Sequence, residues 1–156
     1  MEYNKQIMIE EFVGNRDSEI IDKLVAVWNI SVRTSHHFLT EENIIGLVPQ
    51  VETALRYVEH LIIIWENNVP VGFMGIHERK IEMQFLSPSC IGKGMGKALI
   101  DLASQRYDAV YVDVNEQNEK AKGFYRHIGF RTFRRDGTDD HGNPFPILHM
   151  RLSPKR

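Results

Sequence analysis

Cysteine is nearly absent: Cys90 stands alone among 156 residues, so no internal disulfide can form and a reducing, cytoplasmic setting is expected. Long apolar runs are missing too. The densest, Leu61 to Ile64, is far too short to span a bilayer, and the opening MEYNKQIMIEEF lacks the basic-then-apolar pattern of an export signal. No membrane role is expected. Nor does one sign of charge dominate. Nineteen Lys and Arg face 21 Asp and Glu, a formal charge of −2, which removes any general electrostatic pull toward nucleic acid. With no repeat, low-complexity segment or linker, residues 1–156 read as one domain, long enough to bury a core without metal or disulfide.

What the chain does have is alternation between helix and strand periods. Gln6 to Phe12 reads as a strand, and Asn15 to Ser18 supplies turn and N-cap residues. A helix follows from about Glu19 to Arg33, with Ile21, Leu24, Val25, Trp28 and Val32 on one face. Thr40 to Val58 is helical in pattern, and Gly46 and Pro49 are expected to divide it into a short and a longer piece. His60 to Glu66, Val69 to His77 and Lys80 to Leu86 form three strands, the first two joined by an Asn67-Asn68 hairpin turn. These predict an antiparallel meander. Met95, Ala98, Leu99, Leu102 and Ala103 trace a helix face, Ala109 to Val114 a strand, and Ala121, Phe124, Tyr125 and Ile128 a second helix face capped by Asn118 and ended by Gly129. Two last strands, Phe130 to Arg135 and Phe145 to Leu152, flank the polar loop GTDDHGNP. The expected fold is mixed α/β, with one central, mostly antiparallel sheet flanked by helices.

The stretch CIGKGMGKAL, Cys90 to Leu99, puts three glycines at every second position just before a helix. A helix N-terminus offers unpaired N–H groups and the positive end of the dipole, and glycines let a ligand approach the backbone closely. A phosphate cradle and a plain flexible turn are the two readings. A magnesium-nucleotide loop is excluded because Ala98 stands where a hydroxyl is required and Ile91 where the first glycine belongs. A dinucleotide fingerprint is excluded because Gly92, Gly94 and Gly96 are spaced GxGxG and follow a meander. A diphosphate held by successive amides remains.

The run IEMQFLSPSCIGKGMGKAL resembles motif A of the GNAT superfamily of N-acetyltransferases, and VNEQNEKAKGFYRHIGF resembles the superfamily's second signature. The two motifs span about residues 81–97 and 114–130, and the order of strands and helices around them is similar throughout. SVRTSHHFL and DDHGNPFPILHM resemble segments of small bacterial members. The resemblance implies acetyl-CoA as co-substrate, its diphosphate held by the backbone of Ile91, Gly92, Lys93, Gly94, Met95, Gly96 and Lys97, and its pantetheine arm by the amides of Phe85 and Leu86. Asn118 and Phe124 complete the implied coenzyme site. One departure is Ile91, where the family usually has Gln or Arg; loss of that donor weakens the hold by about 1–3 kcal/mol if it meets charged oxygen. Lys93 or Lys97 could compensate, the alternative for each being a solvated surface charge.

Acetyl transfer to an amine needs a deprotonated amine, a polarised carbonyl and a proton for the departing thiolate. The resemblance implies Tyr125 as the acid; its spacing with Ala121, Phe124 and Ile128 alone is also that of a core tyrosine. Asn118 likewise has the spacing of a plain N-cap. Glu82 is a candidate base, or a solvated strand-face glutamate. His36, His37 and Phe38 fall where the superfamily builds its acceptor side, and either histidine can titrate near neutrality. Adjacent histidines with no third ligand make no metal site, so none is expected. Cys90 has no spaced His or Asp partner, which favours direct transfer over an acetyl-cysteine step. Asp139, Asp140 and His141 are read as turn residues, or as recognition for a cationic acceptor. The expected function is therefore acetyl-CoA-dependent transfer to the amine of a small molecule or protein by a monomer or homodimer. The rival is an acyl-CoA-binding or sensing domain without catalysis.

Overall fold

The computed structural model describes residues 6–154. One seven-stranded sheet runs β1 (Ile7–Glu11), β2 (His60–Glu66), β3 (Val69–His77), β4 (Lys80–Leu86), β5 (Tyr111–Asn115), β7 (Ile147–Leu152), β6 (Phe130–Asp136). Every neighbouring pair is antiparallel except β4 and β5. The mixed, mostly antiparallel sheet and its three-strand meander follow the sequence expectation.

Helices cover both faces. On one side lie α1 (Ser18–Ser35) and α2 (Glu41–Tyr57), packed on Leu61, Ile63 and Phe73. On the other, α3 (Met95–Tyr107) and α4 (Glu119–Ile128) meet Ile62, Ile64, Met74, Ile76 and Ile81. This explains why β2 is a run of apolar residues without alternation: both its faces are buried. No helix among the described residues is long and apolar enough to cross a membrane.

Local chemistry sets the helix ends. Asp17 caps α1 by accepting the Ile20 N–H at 3.2 Å, and Thr40 and Asn43 form a reciprocal capping box at the start of α2. Arg16 reaches across to the last carbonyls of α2, donating to Leu55 and Val58 at 3.2 and 2.5 Å.

The expected division of α2 is corrected. The helix is continuous through Gly46 and Pro49. Proline removes one N–H, but the carbonyl it leaves unpaired belongs to Ile45, on the exposed side where water reaches it. Burial of Ile44 and Leu55 against α1 and β2, with the capping box, outweighs that local cost.

Candidate active site

The site begins with an irregularity in β4. Gly75 pairs with Met83 and Ile76 with Ile81, so Glu82 is the extra residue of a β-bulge. The bulge resets the alternation. Ile81, Gln84 and Leu86 face the α3–α4 layer, while Met83 and Phe85 face α1 and α2. Glycines make room for it: a Cβ on Gly75 would lie 2.7 Å from Met83 Cε, and one on Gly72 at 2.7 Å from Leu86 Cδ2.

Beyond the bulge β4 leaves its parallel neighbour. Only Lys80↔Tyr111 and Ile81↔Val112 pair with β5. Ser87 N–H donates to Val71 O at 2.8 Å, and antiparallel alternation from that bond commits the Phe85 amide to β3 and turns the Gln84 and Leu86 amides toward the gap. Leu86 thus presents backbone to the gap, whereas Phe85 contributes its ring.

Into the gap opens a cavity of about 630 Å³. One wall is the glycine loop: Ile91, Gly92, Gly94, Met95, Gly96 and Lys97 all line it. The three glycines do different work. Gly92 and Gly94 have φ of +83° and +77°, which favour glycine, and Gly94 is the N-cap of α3. Gly96 instead permits close packing, since a Cβ there would sit 2.9 Å from Phe124 Cζ. The first intrahelical bond is Ala98 N–H to Gly94 O, so the amides of Met95, Gly96 and Lys97 are free for an anion. Lys97 is paired with Asp101 at 3.6 Å. Lys93 is exposed and outside the cavity wall, and Ile91 is 54% exposed at its rim.

The opposite wall is α4. Tyr125 is buried, its ring edge-on to Phe124 and Phe130, and its hydroxyl donates to Gln84 Oε1 at 2.8 Å. Gln84 Nε2 donates in turn to Gly96 O at 3.1 Å, which sets the orientation of the carboxamide. Burial raises the Tyr125 pKa, so the phenol holds its proton at neutral pH. Asn118, buried at the start of α4, accepts the Ala121 N–H at 3.1 Å and faces His36 Nε2 at 3.3 Å.

The other expected residues separate. His36 lines this same cavity, beside the glycine loop and Asn118. His37 is exposed. Phe38 stacks between His36 and Phe145, at 5.4 and 5.7 Å. Glu82 lies outside the cavity, in a groove with Trp28, Gln50, Met83, Phe85 and Asp140; Phe85 is common to both hollows. Lys80 sits 3.9 Å from Glu82 and donates to Asp113 at 2.6 Å. Burial is the largest single effect and disfavours the Lys80 charge, but the bond to Asp113 and the negative charges of Asp113, Glu82 and Asp140 together outweigh it and raise its pKa. Gln84 was not singled out from the sequence; the glycines inside β3 are the signal that points to the bulge behind it.

Burial, with His37 nearby, lowers the His36 pKa from 6.5 to about 4. Its stability contribution is therefore complete above pH 6.5 and is lost as the pH falls toward 4, by about 3 kcal/mol at most. Urea unfolding across that range should show a smaller acid loss in His36→Gln than in wild type. Equal losses would assign the effect to another group.

Residues 34–153 match the acetyltransferase (GNAT) domain family. The chain belongs to the GNAT family. It is an N-acetyltransferase of that family. Peptidyl-lysine N-acetyltransferase YjaB of Escherichia coli (strain K12) is 35% identical over 129 residues, 83% of this chain and 88% of that protein. Peptidyl-lysine N-acetyltransferase YiaC of the same organism is 28% identical over 110 residues, 69% of this chain and 74% of the relative. The solution structure of apo YjaB from Escherichia coli matches with a TM-score of 0.84 at 32% identity, covering 96% of this chain and 99% of that one.

Proposed function

We propose that this GNAT-family enzyme transfers acetyl from acetyl-CoA directly to the side-chain amine of a protein lysine. The observation that carries the donor is the free N-terminus of α3 opening, through two positive-φ glycines, onto a cavity whose far wall holds the buried Tyr125 hydroxyl. The lysine acceptor is supported by the relatives YjaB and YiaC, both peptidyl-lysine N-acetyltransferases.

Acetyl-CoA supplies a thioester, a diphosphate and a long amide-bearing arm. The amides of Met95, Gly96 and Lys97 hold the diphosphate, in the field of the helix dipole. The Leu86 amide, turned into the gap, holds the arm and polarises the thioester carbonyl. Phe124 packs along the arm. Tyr125 gives its proton to the departing sulfur. Glu82, in the groove that shares Phe85 with the cavity, takes a proton from the incoming ammonium, with the Lys80 ammonium 3.9 Å away.

The test is release of CoA thiol on a panel of amines, with acetyl-lysine read by mass spectrometry. Lysine-bearing proteins should be acetylated, and spermidine and aminoglycosides left unmodified. Turnover confined to small amines would overturn the acceptor. Tight acetyl-CoA binding without turnover on any amine would overturn the catalytic role.

Ile91→Arg tests the rim of the cradle. A guanidinium beside a diphosphate adds a charge-assisted bond, expected to tighten acetyl-CoA about tenfold in low salt, with the gain shrinking as salt rises. Calorimetric titration at two ionic strengths measures both. An unchanged dissociation constant would place residue 91 away from the phosphates.

A further inference from the structure

The C-terminal turn of α1 and the N-cap of α4 come from opposite helical layers, and a chain of side chains joins them along the cavity wall. Its direction follows from counting donors and acceptors. Asn118 Oδ1 is occupied by the Ala121 N–H at 3.1 Å, so the atom 3.3 Å from His36 Nε2 is the donor nitrogen Nδ2. A protonated Nε2 would set donor against donor. The imidazole proton therefore sits on Nδ1, 2.7 Å from Ser35 Oγ. That oxygen is free to accept, because its own hydrogen goes to Ser31 O at 3.0 Å. Each member has one partner per direction: Ala121 to Asn118, Asn118 to His36, His36 to Ser35, Ser35 to Ser31.

The ring is also held in place. His36 follows α1 directly, its N–H closing the last turn on Val32 O at 2.8 Å, and it packs on Phe85 and Phe38 at centroid distances of 6.2 and 5.4 Å. Asn118, by contrast, is a capping side chain that needs only Oδ1 for the cap. Without a second contact its amino end is not anchored to the other layer.

We propose that His36 is a positioning residue, held as the Nδ1–H tautomer, that takes one Nδ2–H of Asn118 and aims the other at an amide carbonyl of the acyl donor's arm. This rests on the acyl-CoA reading of the cavity. It moves His36 from the acceptor side, where the sequence placed it, to the donor side. His36 does not touch the reacting atoms; it acts through Asn118.

Two measurements test it. In the free, 15N-labelled wild-type protein at pH 7, long-range 1H–15N correlations should show Nδ1 of His36 protonated and Nε2 bare. The reverse pattern overturns the proposal whatever the coenzyme does, and this readout needs no variant to fold. Second, His36→Leu should raise the KM for acetyl-CoA about tenfold, the worth of one well-placed hydrogen bond, with kcat within about threefold. His36→Gln, whose carbonyl oxygen can accept from Asn118, should restore the wild-type KM. Equal KM in all three proteins overturns the positioning role. Failure of the wild type to bind acetyl-CoA would overturn the donor reading instead, while the tautomer still decides the hydrogen-bond chain.

Discussion

Tyr125→Phe is expected to lower kcat by about 10²–10⁴-fold, the usual worth of a positioned acid, while acetyl-CoA binds with near wild-type affinity. Only one oxygen is removed. The ring remains edge-on to Phe124 and Phe130 at 5.1 and 5.4 Å, so the α4 wall keeps its shape. Removing the hydroxyl leaves Gln84 Oε1 without its donor, at a cost of about 1–3 kcal/mol in stability. The melting temperature therefore falls while the fold persists. Burial raises its pKa, so the hydroxyl carries its proton at neutral pH and has one to give when negative charge develops on sulfur. Thiol release at saturating acetyl-CoA and acceptor gives kcat, and calorimetry gives the affinity. Turnover at the wild-type rate would reduce the hydroxyl to a partner for Gln84 and assign the proton to another group.

What the sequence discloses about this site divides along a physical line. Contacts within one element were legible: the α4 stripe, the Asn118 cap and the loop glycines each depend on spacing along a few residues. Contacts that need two elements were not. Gln84 reaches Tyr125 and Gly96 only because a bulge at Glu82 turns it over, and strict alternation along KIEMQFL groups it with Glu82 instead. His36 meets Asn118 across 82 residues of chain, which no local period encodes. Pro49 shows the opposite failure. Local propensity correctly registers a broken helical bond, but the burial of Ile44 and Leu55 decides the outcome. Fold class survived these misses because β2, β3 and the two helical layers are specified by dense apolar segments whose pairing tolerates an error of a residue or two at each end.

Gly94→Val should abolish acetyl-CoA binding, by about 100-fold or more, and leave the protein folded. Two independent arguments converge. At φ +77° a β-branched residue is strained, so the N-cap of α3 shifts and its free amides lose their common aim. Each amide-to-phosphate bond is charge-assisted, and losing two costs about 3 kcal/mol. The second argument is space. A Cβ at residue 94 meets no atom within 4 Å beyond its chain neighbours, because Gly94 lines the cavity, and the volume in front of it is the one the proposed diphosphate cradle would fill. The valine methyls enter that volume. Gly96→Val is the informative contrast: its Cβ strikes Phe124 at 2.9 Å, so it damages packing between α3 and α4 and should lower the melting temperature as well as affinity. Calorimetric titration with circular dichroism separates the two. If Gly94→Val bound acetyl-CoA normally, the cradle would have to lie elsewhere on the chain; if it unfolded, the strain at residue 94 would exceed what the loop can absorb, and Gly94→Ala, with the same φ and no branch, would carry the test.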